Sequence, residues 1–581
     1  MTHISIGPLV RATSANSVTI WVECTQPCTV TLKVLPIESG DAPLPTGSSH
    51  TVIVGGHHYA LVYLDGLQPA TWYTYHLDID GQEDIESVET TSEQHFKHQD
   101  TAPQLYCFRT MNVHEAGQAA SQQTRLQLRL AYGSCRTSED QEDDALSAFG
   151  SWLISHYEQR EEQWPHLLLL IGDQIYADQP PAALKKVHPQ LEQRASTFED
   201  FALLYEYAWT KDSNVRQALA VVPTYMIFDD HEITDNWDTA PTWRAEALKK
   251  GWEQMLIDGL VAYWVYQGWG NLERRTQRDH SPLLTIMQEA EQHGQDILES
   301  LRVQIKEELY GRTDLHWHYT LPTVPAIFVA DARVGRTAVF SDSKQEIYAP
   351  ARIMSQQQMN ELRTWVHTNT TGPLLLISSV PLLLPPAIGF IEYMAGKRFW
   401  RSTPLQWLGQ HMAQLQQKVA RKASFDHWPV YSATWQEFIH LLDECDQDML
   451  ILSGDVHFSY AMQAQRTGRK KQQRQLYQLV CTPLQNILSP RDRTLIEKQA
   501  PFSRISYGGL HTQMLPLYTA DMKARVPHDI LFQNTIALVT IETEEDGSYT
   551  VQQEYLGSIG GIVRVVGRTE PFGDMLSTPN K

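Results

Sequence analysis

Residues 167–176 are Leu167-Leu168-Leu169-Leu170-Ile171-Gly172-Asp173-Gln174-Ile175-Tyr176, an apolar run that ends in a carboxylate and a phenol. A short apolar run closed by a glycine predicts a strand buried on both faces, as in an α/β sheet covered by helices. Ligands of open α/β sheets bind beyond the carboxyl ends of the strands. The stretch therefore predicts an α/β fold with Asp173 and Tyr176 as site residues, although a capping Asp and a core Tyr would leave the same pattern.

Three further apolar runs are also followed by side chains that can bind a metal. They are residues 128–132 before Cys135 and Arg136, residues 225–228 before Asp229, Asp230, His231 and Glu232, and residues 449–452 before Asp455 and His457. Four strand ends of this kind are too many for capping alone. The donors mix carboxylate, imidazole, phenol and thiol, which suits a ferric or zinc-like ion beside a divalent ion that prefers carboxylates.

The positions of these donors suggest how two ions would share them. Asp173 is the natural bridge between two metals, because it lies at a strand end between the other candidates. Tyr176 can bind as phenolate to a strongly acidic ion such as ferric iron. Cys135 fits the same ion as a thiolate, but a buried free cysteine fits equally well. His457 would complete that side, and Asp230 and Asp455 suit the harder ion.

Length and composition describe an ordinary globular protein. The 581 residues allow roughly four domains at about 150 residues each, although large α/β enzymes are often single units. Hydrophobic residues make up 42% and charged residues 20% of the chain. The net charge of −21 opposes binding to nucleic acid or to anionic membrane surfaces.

Cysteine usage and the first residues predict a cytoplasmic protein. The six cysteines are sparse, so we expect reduced thiols, with a Cys24–Cys28 disulfide as the less favoured alternative. The first residues show neither a signal peptide nor a twin-arginine motif. The apolar residues 377–391 contain three prolines and fall short of the roughly 20 residues that a membrane span needs.

Residues 1–110 predict an all-β domain of short strands separated by turns. Within it, Leu67, Pro69, Thr71 and Tyr73 occupy alternate positions before a strand. This pattern resembles the tyrosine corner of fibronectin-type-III sandwiches, in which the phenol ties a loop to the sheet. Residues 111–125 are polar and predict a linker.

Residues 126–581 alternate apolar strands with helical stretches, which predicts one α/β domain. Two stretches interrupt the alternation with helical spacing of apolar residues, at about 243–310 and 403–422. We expect both to be helical inserts in the catalytic domain.

Together the motifs resemble the alkaline phosphatase D (PhoD-like) branch of the calcineurin-like metallophosphoesterases. The resemblance rests on four motifs in order, Gly133-Ser134-Cys135, Gly172-Asp173-Gln174-Ile175-Tyr176, Asp229-Asp230-His231-Glu232 and Ser453-Gly454-Asp455-Val456-His457. Weaker similarities are Val329-Ala330-Asp331-Ala332-Arg333, Gln356-Gln357-Gln358 and Asp426-His427-Trp428.

The resemblance implies a four-layer αββα fold and a metal site holding Fe³⁺ with Ca²⁺, or another binuclear pair such as Fe/Zn or Mn. By position, the iron ligands are Cys135, Asp173, Tyr176 and His457, with Asp173 shared. Asp230 stands where many metallophosphoesterases have Asn, and Asp455 where many have His; both changes favour a hard second ion. Asn236 is a further candidate ligand or phosphate contact.

The implied reaction is hydrolysis of phosphate mono- or diesters by in-line attack of a metal-bound hydroxide. His231, beside Asp230, would stabilise the transition state or protonate the leaving alkoxide. An arginine near the metals would stabilise the equatorial phosphate oxygens, and Arg136 is the candidate, although a structural role fits it as well.

Two alternatives remain open at this stage. One is a phospholipase-like phosphodiesterase acting on phospholipids; the other is a metal-stabilised binding protein without catalysis. The sequence leaves open the physiological substrate, the choice between mono- and diesters, the metal pair in the cell, the oligomeric state and the roles of the sandwich and the inserts.

Overall fold

A computed structural model describes most of the chain. The described residues are 2–37, 45–83, 105–112, 125–140, 143–235, 237, 241–272, 281–336, 351–369, 372–396, 426–467, 474–499, 502–544, 546–559 and 561–573. The candidate ligand Asn236, most of the expected linker and the whole of the expected insert at 403–422 lie outside these residues.

The first part of the chain is an antiparallel β-sandwich, as the short strands predict. Its described strands are β1 (Ile4–Thr13), β2 (Ser17–Cys24), β3 (Thr29–Pro36), β4 (Thr46–His50), β5 (Val52–Val54), β6 (His57–Asp65), β7 (Trp72–Ile79), β8 (Gln82–Glu83) and β9 (Cys107–Arg109). One sheet has the order β1-β2-β6-β5, and the other has β4-β3-β7-β8 with β9 beside β7. The Tyr73 hydroxyl accepts a hydrogen bond from the Gln68 N–H at 2.8 Å. The phenol therefore ties the loop to the sheet, as the tyrosine-corner pattern predicts.

Two larger sheets follow. The first has the order β12-β11-β10-β23-β24-β25-β21, built from β10 (Arg125–Gly133), β11 (Leu167–Leu170), β12 (Thr224–Met226), β21 (Leu517–Tyr518), β23 (Ile536–Glu544), β24 (Tyr549–Ile559) and β25 (Ile562–Thr569). The second has the order β13-β14-β15-β16-β18-β17-β20-β19 with β22 beside β17, built from β13 (Tyr319–Leu321), β14 (Ile327–Ala330), β15 (Leu374–Ser378), β16 (Met449–Ser453), β17 (Ser459–Arg466), β18 (Gln475–Val480), β19 (Arg504–Tyr507), β20 (Leu510–Met514) and β22 (Ile530–Leu531).

Helices cover the outer faces of both sheets. Within the described residues they are α1 (Ala145–Ser155), α2 (Arg160–Gln163), α3 (Ala182–Val187), α4 (Phe198–Thr210), α5 (Ser213–Val221), α6 (Pro241–Lys249), α7 (Glu253–Tyr263), α8 (Pro282–His293), α9 (Leu298–Leu309), α10 (Gln356–Thr368), α11 (Pro386–Gly396), α12 (Ser432–Glu444) and α13 (Pro490–Glu497). A π-helical turn, Trp264–Gly268, continues α7. Four of these helices, α6 to α9, lie in or overlap residues 243–310.

The β11 strand shows how the two sheets pack into four layers. Leu167 and Leu169 belong to the core between the two sheets, whereas Leu168 and Leu170 pack against the helices on the outer face. Alternate residues of a strand point to opposite faces, so all four leucines are buried. A separate core lies between the second sheet and its helices α10 and α12. The architecture is the expected αββα fold preceded by an all-β domain.

The sandwich packs directly against the helical layer of the first sheet. Trp21 of β2 donates its indole N–H to the Val265 carbonyl at 3.1 Å, and its ring lies against Trp209 and Tyr266. Among the helices of the described ranges, none combines the length and the apolar character that a membrane crossing requires.

Candidate metal centre

Four strand ends bring the predicted site residues together. The β10, β11 and β12 strands are parallel neighbours, so their carboxyl ends meet at one edge of the first sheet. The β16 strand lies between parallel β15 and β18 in the second sheet, and the loop after it reaches the same place. The Cys135 Sγ lies 3.5 Å from the Asp173 Oδ2 and 3.6 Å from the Asp455 carbonyl oxygen.

The loops that carry these residues are unusual in their backbone. Cys135, Asp173, Asp455 and His457 all have positive φ angles, between 53° and 69°. A side chain disfavours this left-handed region, and such residues concentrate at functional sites where the surrounding structure holds them. These conformations turn the chain sharply after the ends of β10, β11 and β16 instead of continuing the strands.

Gly172 allows the first of these turns. Its φ is +112°, and a Cβ at this position would lie 2.4 Å from the Asp229 Cβ. Only glycine combines that conformation with this close approach. The glycine in the opening motif is therefore required by geometry.

One group of donors is chemically mixed. The Tyr176 hydroxyl lies 3.4 Å from the Asp173 Oδ2 and 3.2 Å from the His457 Nε2. The Cys135 thiol, in contact with Asp173, adds a sulfur donor to this chain of contacts. Cys135, Asp173 and Tyr176 are buried, and His457 is half-buried. A residue not singled out from the sequence, Asn486, also approaches the His457 Nε2, at 3.5 Å.

The pKa shifts of Cys135, Tyr176 and His457 are consistent with binding of a cation by these side chains. Burial, reinforced by the charge of Asp173, raises the pKa of Cys135. Burial and the neighbouring Cys135 and Asp173 likewise raise the pKa of Tyr176. Burial and the nearby His231 lower the pKa of His457 to about 4, so its ring is neutral and keeps a lone pair for a metal. A cation would be needed to deprotonate the thiol and the phenol, as metal ions do for such ligands.

A second group of donors consists of carboxylates. Carboxylate oxygens of Asp229, Asp230 and Asp455 lie within 4.8 Å of one another, and so do ligand atoms of Asp173, Asp230 and His231. Asp173 thus belongs to both groups, as a bridging ligand must. The set suits a hard divalent ion.

Arg333 compensates much of the charge of these carboxylates. Its guanidinium is 1% exposed and forms ion pairs with Asp229 and Asp455, with Asp426 at 2.6 Å and with Asp230 at 3.3 Å. The charges of Arg333 and His427 outweigh burial and lower the pKa of Asp455. The His427 Nε2 lies 3.1 Å from the Asp455 Oδ2. A hard ion at this place would share its ligands with two protein cations.

Glu232 connects the loops after β11 and β12 with the π-helical turn after α7. Its Oε2 accepts hydrogen bonds from the backbone N–H groups of Asp173 at 3.0 Å and Asp229 at 2.7 Å. Its Oε1 accepts from the Gln174 N–H at 2.6 Å and from the Gln267 side chain at 3.0 Å. Burial raises the pKa of Glu232 to about 7. The acid of this motif thus positions the ligand loops.

His231 lies beside the donors in a fixed orientation. Its Nδ1 contacts the Asp178 Oδ1 at 2.9 Å, and its ring stacks on Tyr176 with centroids 4.3 Å apart. Burial alone would lower the pKa of His231, but the hydrogen bond to Asp178 and the charges of Asp173 and Asp230 raise it well above its usual value. The contact with Asp178 leaves Nε2 as the ring nitrogen that can meet a substrate.

The Arg136 side chain contacts α1 and α4 and, among the described residues, none of the candidate metal ligands named above. This side chain is fully buried; Nε donates to the Asp144 Oδ2 at 2.8 Å, and Nη1 donates to the Ala208 carbonyl at 2.7 Å. These partners tie the turn after β10 to α1 and α4. These contacts favour the structural role that the sequence left open for Arg136, and the phosphate contact stays a prediction.

Several contributors were missed from the sequence. Arg333 and His427 stood in weaker motifs without a role, and Asp178, Glu232 and Asn486 had no assigned function. Arg333 offered a usable signal, since it follows the β14 strand end by the same rule that pointed to Asp173. Asn486 offered none, because it lies in a loop well after β18.

Comparisons with known proteins agree with this architecture. Residues 131–507, well over half of the chain, match the family described as PhoD-like phosphatase. Residues 1–97 match a domain of unknown function, DUF7800. A solved structure titled "Structure of PhoD" superposes with a TM-score of 0.60 at 15% identity, covering 97% of this chain and 89% of that chain. No curated protein matches.

Proposed function

The chain belongs to the PhoD-like phosphatase family, and from this membership we propose which of its residues carry out the reaction. It is a metal-dependent phosphoric ester hydrolase whose substrate is a phosphate ester. The family match concerns the activity class, and the assignment of roles to individual residues is ours. The contacts of the Asp173 carboxylate with Cys135 and Tyr176, and of Tyr176 with His457, are the observation that supports the assignment.

We assign two sets of metal ligands. Cys135, Asp173, Tyr176 and His457 hold Fe³⁺, because a thiol and a phenol with raised pKa values need a strongly acidic ion. Asp173, Asp230 and Asp455 hold Ca²⁺, with Asn236, outside the described residues, as a further candidate. When bound, such ions polarise the phosphate and lower the pKa of water. An Fe/Zn or Mn pair is the alternative for the same donors.

The remaining groups act on the substrate or hold the ligands in place. His231 donates a proton to the leaving alkoxide from Nε2, since the contact of Nδ1 with the Asp178 carboxylate fixes the ring and favours its protonated form. Asp230, the neighbour of His231 in the chain, acts as a metal ligand. Arg333, and not Arg136, is the arginine next to the carboxylates, but its four ion pairs make it a positioning residue.

Replacement of Asp173 tests the assignment. We expect Asp173→Ala to lose bound metal and to lower hydrolysis of nitrophenyl phosphate mono- and diesters by more than about 100-fold, because even indirect partners of a metal ligand cost 10–100-fold. Asp521→Ala, in a surface turn, is the matched control and should retain both. Retained metal content and activity in folded Asp173→Ala would refute the proposal.

The visible spectrum tests the ferric assignment separately. A tyrosinate bound to Fe³⁺ gives a broad charge-transfer band, so the oxidised, iron-loaded protein should be coloured. Tyr176→Phe should lose the band while keeping the thiol, imidazole and carboxylate. An unchanged band in Tyr176→Phe would exclude this phenol as an iron ligand.

We also propose a division of the chain into a sandwich at residues 1–110, a linker at 111–125 and a catalytic domain at 126–581 with inserts at 243–310 and 403–422. The support is that the strands of the first two sheets come from residues 4–109, with a core of their own. A protease site inserted near residue 118 should be cleavable without loss of circular dichroism. Unfolding upon cleavage would argue for a single unit.

For the location of the protein we propose the cytoplasm. All six cysteines are free and buried, and the proposed Cys135 ligand must stay reduced to act. After fractionation of cells that express the chain, it should be recovered in the same fraction as cytoplasmic marker proteins. Recovery outside the cytoplasm would contradict this location.

We further propose that nucleic acid is not a binding scaffold for the chain. The net charge of −21 repels a phosphate backbone. A mobility-shift assay at low salt, where such binding is strongest, should show no complex.

A further inference from the structure

A second group of metal-capable side chains lies outside the catalytic centre. His316 and His318 lie in the segment directly before β13, and Glu361 belongs to α10. Ligand atoms of these three residues all lie within 4.8 Å of one another. The His318 Nε2 is 2.6 Å from the Glu361 Oε2. These residues have no part in the proposed phosphoesterase reaction.

The His316 ring is not accounted for by ordinary hydrogen bonds. Its Nδ1 is buried, and within the described residues no hydrogen-bond partner meets it. The nearest carboxylates are those of Asp314 at 3.6 Å and Glu361 at 3.9 Å, which is too long for a hydrogen bond. Buried nitrogen atoms normally form hydrogen bonds. A buried nitrogen that faces two carboxylates and forms a hydrogen bond with neither of them therefore needs an explanation.

The donors are held by packing and by charge. The His318 side chain is only 7% exposed, and its ring stacks on Phe328 with centroids 5.6 Å apart. The His318 ring and the Glu361 carboxylate are held together by their contact at 2.6 Å. Gln357, one helical turn before Glu361, lies 3.4 Å from the His316 Nε2 and donates to Glu361. The ring nitrogen Nδ1 of His316 is thus directed to the carboxylates.

We propose that His316, His318 and Glu361 form a second metal site for a zinc-class divalent ion, with Asp314 beside the His316 ring. Two imidazoles and one glutamate are a known donor set for zinc. Bonds of about 2.1 Å in a tetrahedron separate the ligand atoms by about 3.4 Å. The His316 Nδ1 lies 3.9 Å from Glu361, near that spacing, whereas the 2.6 Å contact between His318 and Glu361 would lengthen when an ion is bound.

The position of the site indicates a structural role. An ion there would join the segment before the edge strand β13 to α10. From α10, Gln358 holds the loop after β14 by two hydrogen bonds with the backbone of Asp331, at 2.9 and 2.8 Å. That loop carries Arg333. The site therefore braces the element that positions the arginine of the catalytic centre.

Zinc binding by the full-length protein tests the site. After equilibrium dialysis against Zn²⁺, His316→Ala and Glu361→Gln should each hold one zinc equivalent per chain less than the unaltered protein. His367→Ala is the matched control, because His367 also pairs with a glutamate, Glu444, but belongs to no metal-capable group of three within the described ranges. Equal zinc content in all four proteins would overturn the proposal.

Chemical protection gives a measurement that needs no substitution. Carbethoxylation of histidines, mapped by mass spectrometry, should modify His316 and His367 in metal-free protein. Zn²⁺ should slow modification of His316 at least several-fold and leave His367 unchanged. Equal modification of His316 with and without Zn²⁺ would refute the site even if both variants failed to fold.

Discussion

Strained backbone at single residues places the ligands that we propose for the metal centre. Cys135, Asp173, Asp455 and His457 adopt left-handed conformations, each of which costs of order 1–3 kcal/mol. The cost is tolerated because buried hydrogen bonds hold the loops, such as the one from the His231 N–H to the Asp173 Oδ1 at 3.1 Å. The donors therefore converge before any ion binds, which limits the reorganisation that binding requires.

Gly172→Ala should disturb this arrangement. The new Cβ would meet the Asp229 Cβ at 2.4 Å in a backbone conformation with φ +112°, so we expect a loss of unfolding free energy of about 2–4 kcal/mol and weaker metal binding. Gly294→Ala is the control, since its φ of +62° is also positive but nothing lies within 4 Å of the new Cβ. It should cost about 1 kcal/mol. Denaturant unfolding measures the loss of unfolding free energy in each variant, and metal analysis measures the weaker metal binding of Gly172→Ala. Equal losses of unfolding free energy in the two variants would contradict the steric argument.

Arg333→Met should leave a group of buried carboxylates uncompensated. Removing one partner of a buried ion pair costs about 3–5 kcal/mol, and four acids contact this guanidinium. We expect a large loss of thermal stability that added Ca²⁺ partly restores, because a cation can replace the missing charge. Lys523→Met, at an 83% exposed ion pair, should change stability by less than about 1 kcal/mol. A Ca²⁺ response no larger than that of the unaltered protein would argue against this role.

Between elements, Glu232 connects the strand ends to the helical stretch at 243–310. It receives hydrogen bonds from the loops after β11 and β12 and from Gln267 in the π-helical turn after α7. The buried side chain of Gln267 is held in place for this contact by Tyr205. The Gln267 amide also donates a hydrogen bond to the Tyr205 hydroxyl at 2.9 Å. The helices at 243–310 are thus packed behind the catalytic loops.

Glu232→Gln should weaken this connection. Each carboxylate oxygen accepts from two donors, so an amide NH₂ must face two N–H groups whichever way the side chain is turned. We expect a loss of about 1–3 kcal/mol in unfolding free energy and a 10–100-fold lower kcat. The exposed Glu289→Gln in α8 is the control. Full activity in Glu232→Gln would contradict the positioning role.

Across the whole molecule, the sandwich and the catalytic domain share one buried interface. Trp21 packs among Trp209 and Tyr266, and His57 of β6 lies between two carboxylates. Its Nδ1 is 2.8 Å from Glu23 of the sandwich, and its Nε2 is 2.8 Å from Glu199 at the start of α4. The imidazole therefore bridges the two domains as a cation.

The interface should weaken at high pH through His57. Burial alone would lower the pKa of His57, but hydrogen bonds to Glu199 and Glu23 raise it to about 10. A raised pKa contributes stability that is complete below about pH 6.5 and is lost as the pH rises through 10. We expect the unaltered protein to lose of order 1 kcal/mol more unfolding free energy than His57→Gln between pH 7 and 10.5. If the unfolding free energies of the unaltered protein and of His57→Gln change in parallel with pH, His57 does not contribute to the pH dependence.

The sequence by itself determined the strands, their polar ends and the class of chemistry. Leu167 to Ile171 and Asp173 are neighbours in the chain, so apolar patterning and strand-end position sufficed to predict both the buried strand and the donor after it. The same holds for Cys135, Asp230, Asp455 and His457. The left-handed backbone of Cys135, Asp173, Asp455 and His457 was not predictable, because it is imposed by packing and is disfavoured locally.

Only the tertiary structure decided the charge balance and the partners of each donor. Arg333 is 104 residues from Asp229 and 122 from Asp455 in the chain, and no local pattern reports contacts at such separations. The neighbouring Arg136 pairs with Asp144 instead of facing the site, although adjacency to Cys135 suggested otherwise. Strand ends follow from local patterning, whereas the direction of an arginine depends on which distant carboxylates the fold buries beside it.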